Sequence, residues 1–286
     1  MKSIMKADLH NHSYYSDGLL SPSEVVRLAS QASCDLFSLT DHDTTDGIAE
    51  AKLEADKVGL NLINGVEISA FWRNMAIHIV GLGVDVNNDI LQTGLEHNKN
   101  LRKIRAEKIA LSLRRSGIRD ALEKAQIISG GYMLTRTHFA QMLIQEGYCK
   151  DMKSVFRRYL TGKKPGGVRV EWKGFDEVIN WIQSAGGKAF IAHPFRYRMT
   201  HTKIKNLIRD FKEASGDGFE VVNANSSREE IILGNQWLED HDLLASCGSD
   251  FHGKVISHRA LGNISQLPDN SIPIWTKWEN IKKLFH

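Results

Sequence analysis

Short apolar runs recur along this chain at residues 4–9, 35–39, 60–66, 77–82, 188–192, 219–222 and 243–246, and several run directly into a histidine or an acid. Runs of this length bounded by polar residues read as buried strands. Between several of them the pattern turns helical. Ser21-Pro22-Ser23-Glu24 is a capping box with proline at the first helical position, leading into Val25, Val26, Leu28 and Ala29. Residues 175–185, 203–214 and 228–238 show similar patterning. Strands that alternate with helices call for a mostly parallel sheet covered by those helices, and about seven of them predict an α/β barrel, closed or incomplete.

The rhythm breaks over residues 88–173, which read as helical, strongly charged and free of strands. Leu101, Ile104 and Leu111 would share one helix face there, surrounded by Lys99, Arg102, Lys103, Arg105, Lys108, Arg114, Arg115 and Arg119. A second basic stretch runs from Lys150 to Lys173. The expected organisation is a barrel domain of residues 1–87 and 174–286 carrying an inserted helical, basic lid of residues 88–173. The net charge of the whole chain is only +3, so any attraction for a polyanion must come from such local patches.

A length of 286 residues suits one large domain with an insertion, and 25% charged residues are ordinary for a globular protein. No apolar run approaches the ~18 residues needed to span a bilayer, and the first residues lack a signal-peptide core. Cys34, Cys149 and Cys247 stand far apart, outside any metal-ligand spacing, and read as reduced thiols. Together these features predict a cytoplasmic protein with no membrane partner.

Twelve histidines are many for this length, and six of them sit at or near strand ends beside another ligand-capable residue. In His10-Asn11-His12 the period of an extended chain puts both rings on one face. Asp250-Phe251-His252 repeats that spacing after the last run. Asp17 follows the first pair, His42 lies in Thr40-Asp41-His42-Asp43, Glu67 closes the third run, His78 lies between Ile77 and Ile79, and His193 precedes Pro194. Functional residues of parallel barrels gather on the rim formed by the C-terminal strand ends. Singly, His78 could be a core histidine, Asp17-Gly18 a turn and Asp41-His42-Asp43 a cap. Jointly, imidazole and carboxylate without thiolate point to divalent Mn, Fe or Zn, with Mg less suited. The remaining histidines, 97, 201, 241, 258 and 286, read as surface residues.

At these residues the sequence resembles the PHP (polymerase and histidinol phosphatase) family. Asp8-Leu9-His10-Asn11-His12 with Ser16-Asp17-Gly18 is similar to its first motif, Thr40-Asp41-His42-Asp43 to its second, His193-Pro194 to its third and Gly248-Ser249-Asp250-Phe251-His252 to its fourth. Residues 77–82, 135–140, 186–189 and 193–197 resemble the subgroup of nucleoside 3′,5′-bisphosphate phosphatases and the exoribonuclease RNase AM. The resemblance implies a distorted (β/α)7 barrel, similar to a TIM barrel, with a helical lid and three metal ions. It implies one ion on His10, His12, Glu67 and Asp250, a second on Glu67, His78 and His193, and a third on Asp17, His42 and His252. It also implies Arg136, helped by His138, and Arg196 as phosphate contacts; Arg228 is a weaker one. Each arginine has a plainer alternative, as a helix cap or a solvated side chain. Asp8, Asp41 and Asp43 could orient ligand imidazoles or serve turns, and Glu220 reads as a buried structural acid.

The expected chemistry is hydrolysis of a phosphate ester by a metal-bridging hydroxide, with no protein nucleophile and arginine forks on the phosphate. The basic lid favours a nucleoside 3′,5′-bisphosphate or the 5′ end of a short RNA. No aromatic stacking platform is evident in the sequence, and neither a DNA partner nor an obligate protein partner is implied. Rivals are a histidinol-phosphate-type phosphatase, a polymerase-associated nuclease, a C–N-cleaving amidohydrolase and a non-catalytic module that keeps its metals and binds nucleotides.

Overall fold

A computed structural model describes residues 5–254, 256 and 260–278. Ile4, His258 and His286, named above, lie outside these. The strands are β1 (Ala7–Asp8), β2 (Leu36–Leu39), β3 (Asn61–Trp72), β4 (Met75–Leu82), β5 (Lys188–Ile191), β6 (Gly218–Asn223) and β7 (Leu244–Gly248). They form one sheet in chain order. The sheet curls until its edges meet, with Leu9 N–H donating to Cys247 O at 3.0 Å and His12 N–H to Phe251 O at 2.9 Å. The α/β barrel read from the sequence is thus a nearly closed seven-stranded one.

The sheet is mostly parallel, as expected, with one strand reversed. β3 and β4 form an antiparallel hairpin, and β4 also pairs antiparallel with β5. Trp72 pairs with Met75 across a two-residue turn in which Arg73 and Asn74 both have positive φ, the geometry that matches the twist of a hairpin. Glu67 therefore does not close a strand but sits within β3, and His78 lies near the start of β4. Because β4 runs backwards, its beginning reaches the same rim as the C-terminal ends of the parallel strands. β2 stops at Leu39, opposite Asn64, so the rest of the hairpin stands above the rim as a wall.

Helices α1 (Pro22–Gln31) and α2 (Ile48–Val58) cover one side of the barrel, burying Val25, Val26 and Ala51 with Phe37 and Leu39. The capping box at Ser21 forms as expected. α7 (Phe175–Ser184), α8 (His201–Glu213) and α9 (Arg228–His241) cover the rest, contributing Ile182, Phe211 and Trp237 to the main core.

Between β4 and α7 come α3 (Asp89–Arg115), α4 (Ala121–Ile128), α5 (Arg136–Gln145) and α6 (Met152–Val155), the last continued by a wide turn through Leu160. They bury a separate cluster that includes Ile109, Leu113, Phe139, Leu143, Val155 and Leu160. The inward face of α3 is not the expected one: Ile104 and Leu111 are exposed, while Leu91, Leu95, Asn98, Arg102, Ala106, Ile109 and Leu113 are buried. Near its start α3 lies so close to α7 that a Cβ at Gly94 would overlap the Trp181 indole. Among the described residues no helix is long and apolar enough to cross a membrane, and Cys34, Cys149 and Cys247 are buried free thiols.

Candidate metal centre

Glu67 occupies the middle of the rim with no solvent exposure. Five imidazoles surround its carboxylate: Oε1 is 2.8 Å from His78 Nδ1 and 3.1 Å from His193 Nε2, while Oε2 is 2.7 Å from His42 Nδ1 and 3.3 Å from both His10 Nε2 and His12 Nε2. His10 Nε2 and His12 Nε2 are 3.1 Å apart, and Asp250 Oδ1 stands 3.5 Å from the first and 3.2 Å from the second. Asp17 Oδ1 lies 3.2 Å from His252 Nε2 and 3.7 Å from His42 Nε2. Strained backbone helps to aim these groups: His193 and Asp250 take positive φ values of 32° and 53°.

Three sets of donor atoms converge closely enough to hold a cation: His10, His12, Glu67 and Asp250; His42, Glu67 and His78; and His12, Asp17, His42 and His252. All nine residues marked in the sequence as ligands thus come together. The grouping differs in detail, because His12 and His42 each face two sets and His193 stands beside Glu67 outside any set.

Divalent cations fit these residues on physical grounds. Asp17 Oδ1, Glu67 Oε2 and His42 Nδ1 are buried without a hydrogen bond. His42 Nδ1 and Glu67 Oε2 are adjacent but misaligned for one. Buried polar atoms left so cost ~1–3 kcal/mol each, a penalty that ligation removes. Electrostatics leads to the same conclusion. Burial alone would raise the Glu67 carboxyl, but His42, His78 and His10 outweigh it and hold it well below its ordinary range. Burial, with His252 and His42 nearby, keeps His12 far below the usual imidazole range, and burial pushes His78 down to about 4 despite Glu67. The carboxylate is therefore ionised and these rings neutral near pH 7, as ligation requires.

His10 behaves differently. Burial would depress it, yet Glu220 and Glu67 carry it up to about 10. Glu220 Oε1 accepts from His10 Nδ1 at 2.6 Å, and Glu220 Oε2 accepts from the His193 backbone N–H at 2.7 Å. Near pH 7 the ring therefore holds both protons; a cation would take the place of the one on Nε2 while Glu220 keeps the one on Nδ1, the arrangement of a carboxylate that orients a metal-bound histidine. Glu220 is thus a positioning residue, not merely a structural acid. A register shift between Glu220 and Val222 marks a β-bulge beside it.

Of the two readings open for Asp8, Asp41 and Asp43, their hydrogen bonds favour the structural one, as braces of loops and strands. Asp8 accepts from Asn11 Nδ2 at 3.0 Å and from the Ser249 and Gly262 N–H groups at 2.7 Å each, tying the barrel's seam. Asp41, which burial pushes up to about 6, accepts from Ser13 N–H, Ser13 Oγ and Ser16 Oγ and so holds the loop that carries Asp17. Asp43 accepts from Ser69 N–H and Oγ, from Asn98 and from Arg102 Nε, the last at 2.6 Å. Arg102, one of the basic residues expected around the apolar face of α3, is a buried joint between α3 and the hairpin.

Above the cluster lies a cavity of about 370 Å³ walled by Arg102, Arg105, Arg136, Arg196 and the rings of Phe156, Trp172 and Tyr197. Arg136 lies over the Phe156 ring, 5.6 Å from its centre. Arg105 donates from Nε to Val168 O at 3.1 Å, and burial next to Arg136 and Arg102 lowers its guanidinium to about 8. Among the described residues neither Arg105 nor Arg136 has a carboxylate in ion-pair contact. Half-buried guanidiniums without such a partner favour an anion in the cavity. Arg105 escaped notice in the sequence because it sits in a run of basic residues. Its only signal is its place three residues after the buried Arg102, on the same helix face.

The expected phosphate contacts fare unequally. Arg136 faces the cavity. Arg196 also lines it but donates to Asp250. His138 does not line it: its Nδ1 accepts from Thr135 N–H at 3.0 Å, completing the capping box of α5. Thr137 Oγ1 donates to Asp17 Oδ2 at 2.8 Å, joining that helix start to the cluster. Arg228 is exposed in the first turn of α9, and the structure does not bring it to the site.

Known proteins share this architecture and much of the sequence. A 3′,5′-nucleoside bisphosphate phosphatase of Chromobacterium violaceum is 42% identical over 273 residues, covering 95% of this chain and 96% of that protein. A 5′-3′ exoribonuclease of Haemophilus influenzae is 40% identical, covering 96% and 99% respectively. A solved structure described as an amidohydrolase from Chromobacterium violaceum, with bound sulfate and no metal, matches with a TM-score of 0.90 at 40% identity over 96% of each chain. Residues 8–286 match the PHP domain, and the chain belongs to the PHP domain family.

Proposed function

We propose that this protein is a metal-dependent phosphoesterase that hydrolyses the 3′-phosphate of nucleoside 3′,5′-bisphosphates and, by the same bond cleavage, releases nucleotides from the 5′ end of short RNA. The observation that carries this reading is an imidazole-carboxylate cluster, centred on Glu67, beneath a cavity whose walls include Arg105 and Arg136, neither with a carboxylate in ion-pair contact among the described residues. Both activities are those of relatives about 40% identical along nearly the whole chain.

The two reactions are one. Water adds to phosphorus, the bond from phosphorus to the ribose 3′ oxygen breaks, and that oxygen takes up a proton. From a bisphosphate the products are inorganic phosphate and a nucleoside 5′-phosphate. From RNA they are a nucleoside 5′-phosphate and a shortened chain with a new 5′-phosphate.

Divalent ions in the three sets, Mn²⁺ being our first choice, supply Lewis-acid charge and lower the pKa of water toward about 7. His10, His12, Glu67 and Asp250 would hold one, Glu67, His78 and His193 with His42 a second, and Asp17, His42 and His252 with His12 a third. Arg105 and Arg136 hold the phosphates from the opposite wall. Glu220 keeps the His10 proton on Nδ1, and the capped start of α5 fixes Asp17 through Thr137. In this reading residues 88–173 act as a basic lid over a barrel domain of residues 1–87 and 174–286, and the protein works in the cytoplasm.

The test is to load the purified protein with Mn²⁺, add adenosine 3′,5′-bisphosphate and separate the products, with His193→Ala as control. Release of phosphate with formation of adenosine 5′-phosphate, abolished in the control, is the expected result. No release from protein whose metal content is confirmed would reject this substrate assignment.

A further inference from the structure

A second cavity, of about 530 Å³, opens on the other side of Arg102, the residue that walls both. The same stretch of chain also borders both: Met133 and Leu134 face the second cavity, and Thr135, Arg136 and Thr137 face the metal centre. Tyr15 and Tyr132 line the second cavity, with ring centres 4.9 Å apart, and Tyr14 stacks on Tyr132 at 4.6 Å. This aromatic platform is invisible in the sequence, because Tyr132 lies far along the chain from Tyr14 and Tyr15.

Lys99 and Lys103 stand on the α3 side. Lys99 is paired with Asp46 at 3.1 Å, whereas Lys103 makes no ion pair among the described residues. Ala106, Leu122 and Leu134 supply apolar wall, and Glu107 is the other acid. The volume falls within the ~300–1,000 Å³ of small-ligand sites. An aromatic surface with a neighbouring cation suits a nucleobase and its phosphate, and stacking accepts any base.

We infer that this cavity receives the second nucleoside of an RNA chain, the one on the far side of the scissile phosphate, with its base against Tyr15 and Tyr132 and its outgoing phosphate toward Lys103. The inference rests on the phosphoesterase reading and adds to it a path for the strand. The metal-side cavity already has Phe156, Trp172 and Tyr197 for the first base, so the first nucleotide does not need the tyrosines. A bisphosphate, which ends at the scissile phosphate, leaves the second cavity empty, whereas RNA fills it.

The test compares adenosine 3′,5′-bisphosphate with a 5′-phosphorylated triribonucleotide, using the Mn²⁺-loaded full chain and the variants Tyr132→Ala, Tyr132→Phe and Lys103→Ala. Tyr132 is 40% exposed, so its truncation leaves the fold intact, and a thermal melt checks this. The expected result for Tyr132→Ala is a fall in kcat/KM on the trinucleotide of about 5- to 100-fold, the weight of one stacked base. Activity on the bisphosphate stays within about twofold, and Tyr132→Phe restores the trinucleotide rate. Lys103→Ala lowers the trinucleotide rate less and makes it less sensitive to salt.

An equal fall on both substrates would overturn the inference by assigning the cavity to the first nucleotide, and an unchanged trinucleotide rate would overturn it directly. Wild-type protein that clears the bisphosphate but leaves the trinucleotide whole would also overturn it, with the phosphatase reading intact. Inactivity on both substrates would remove the reading and the inference together.

Discussion

The two walls of the cavity are built on opposite plans. The barrel rim gathers imidazoles and carboxylates, with several of their donor atoms buried without a hydrogen bond. The helical wall gathers arginines, and two of these, Arg105 and Arg136, lack a carboxylate in ion-pair contact among the described residues. Each wall alone carries a cost of burial that its own side chains offset only in part. The difference assigns the roles: the rim is completed by cations and the helices by an anion. A phosphate bridging the two would satisfy both.

The sharpest way to break this division is Glu67→Gln, which removes the carboxylate shared by five imidazoles. Turnover should fall on the order of 10³-fold with loss of bound metal, as read by phosphate release and elemental analysis. A variant that keeps both would refute the central role of Glu67. Arg105→Ala probes the opposite wall. It should lower kcat/KM by about 10- to 150-fold, the loss of a charge-assisted contact of ~1.5–3 kcal/mol, while metal content stays full. Metal loss in that variant would erase the contrast between the walls.

Glu220→Gln tests what lies behind the rim. With the acceptor for His10 weakened, metal affinity should drop about 10- to 100-fold, measured by titration with a competing chelator. Unchanged affinity would return Glu220 to a structural role. The smallest effect belongs to Thr135→Ala, which removes the cap of α5 and a contact to Asp17 at 3.3 Å. Stability should fall by ~0.5–2 kcal/mol in urea unfolding, with only a modest loss of rate. A collapse of metal binding there would mean that the lid holds the cluster together instead of merely bordering it.

What was legible in the sequence follows from locality. The ligand pairs His10/His12 and Asp250/His252 declare themselves because extended chain puts alternate residues on one face. The cap at Ser21 is fixed by a four-residue pattern. The antiparallel course of β4 was hidden because Arg73-Asn74 is not a sequence that advertises a tight turn, and the apolar run of residues 77–82 looks the same in either direction. Glu220 was undervalued because its partner, His10, is 210 residues away. α3 misled because its inward face includes Asn98 and Arg102, polar residues that are buried only because Asp43 and Ser69 meet them there. Long-range pairing of polar groups leaves no trace in local hydropathy.

That last helix has a mechanical consequence. α3 is unbroken over 27 residues, a rod of roughly 40 Å by its rise per residue. Its first half is packed into the barrel core through Leu91 and Leu95, and its second half carries the separate helical core through Ile109 and Leu113. Between them the Asp43–Arg102 pair acts as a rivet. To swing open, the roof would have to snap the rod or shear the rivet. An unbroken rod pinned at its middle therefore opposes a hinged opening at α3 itself.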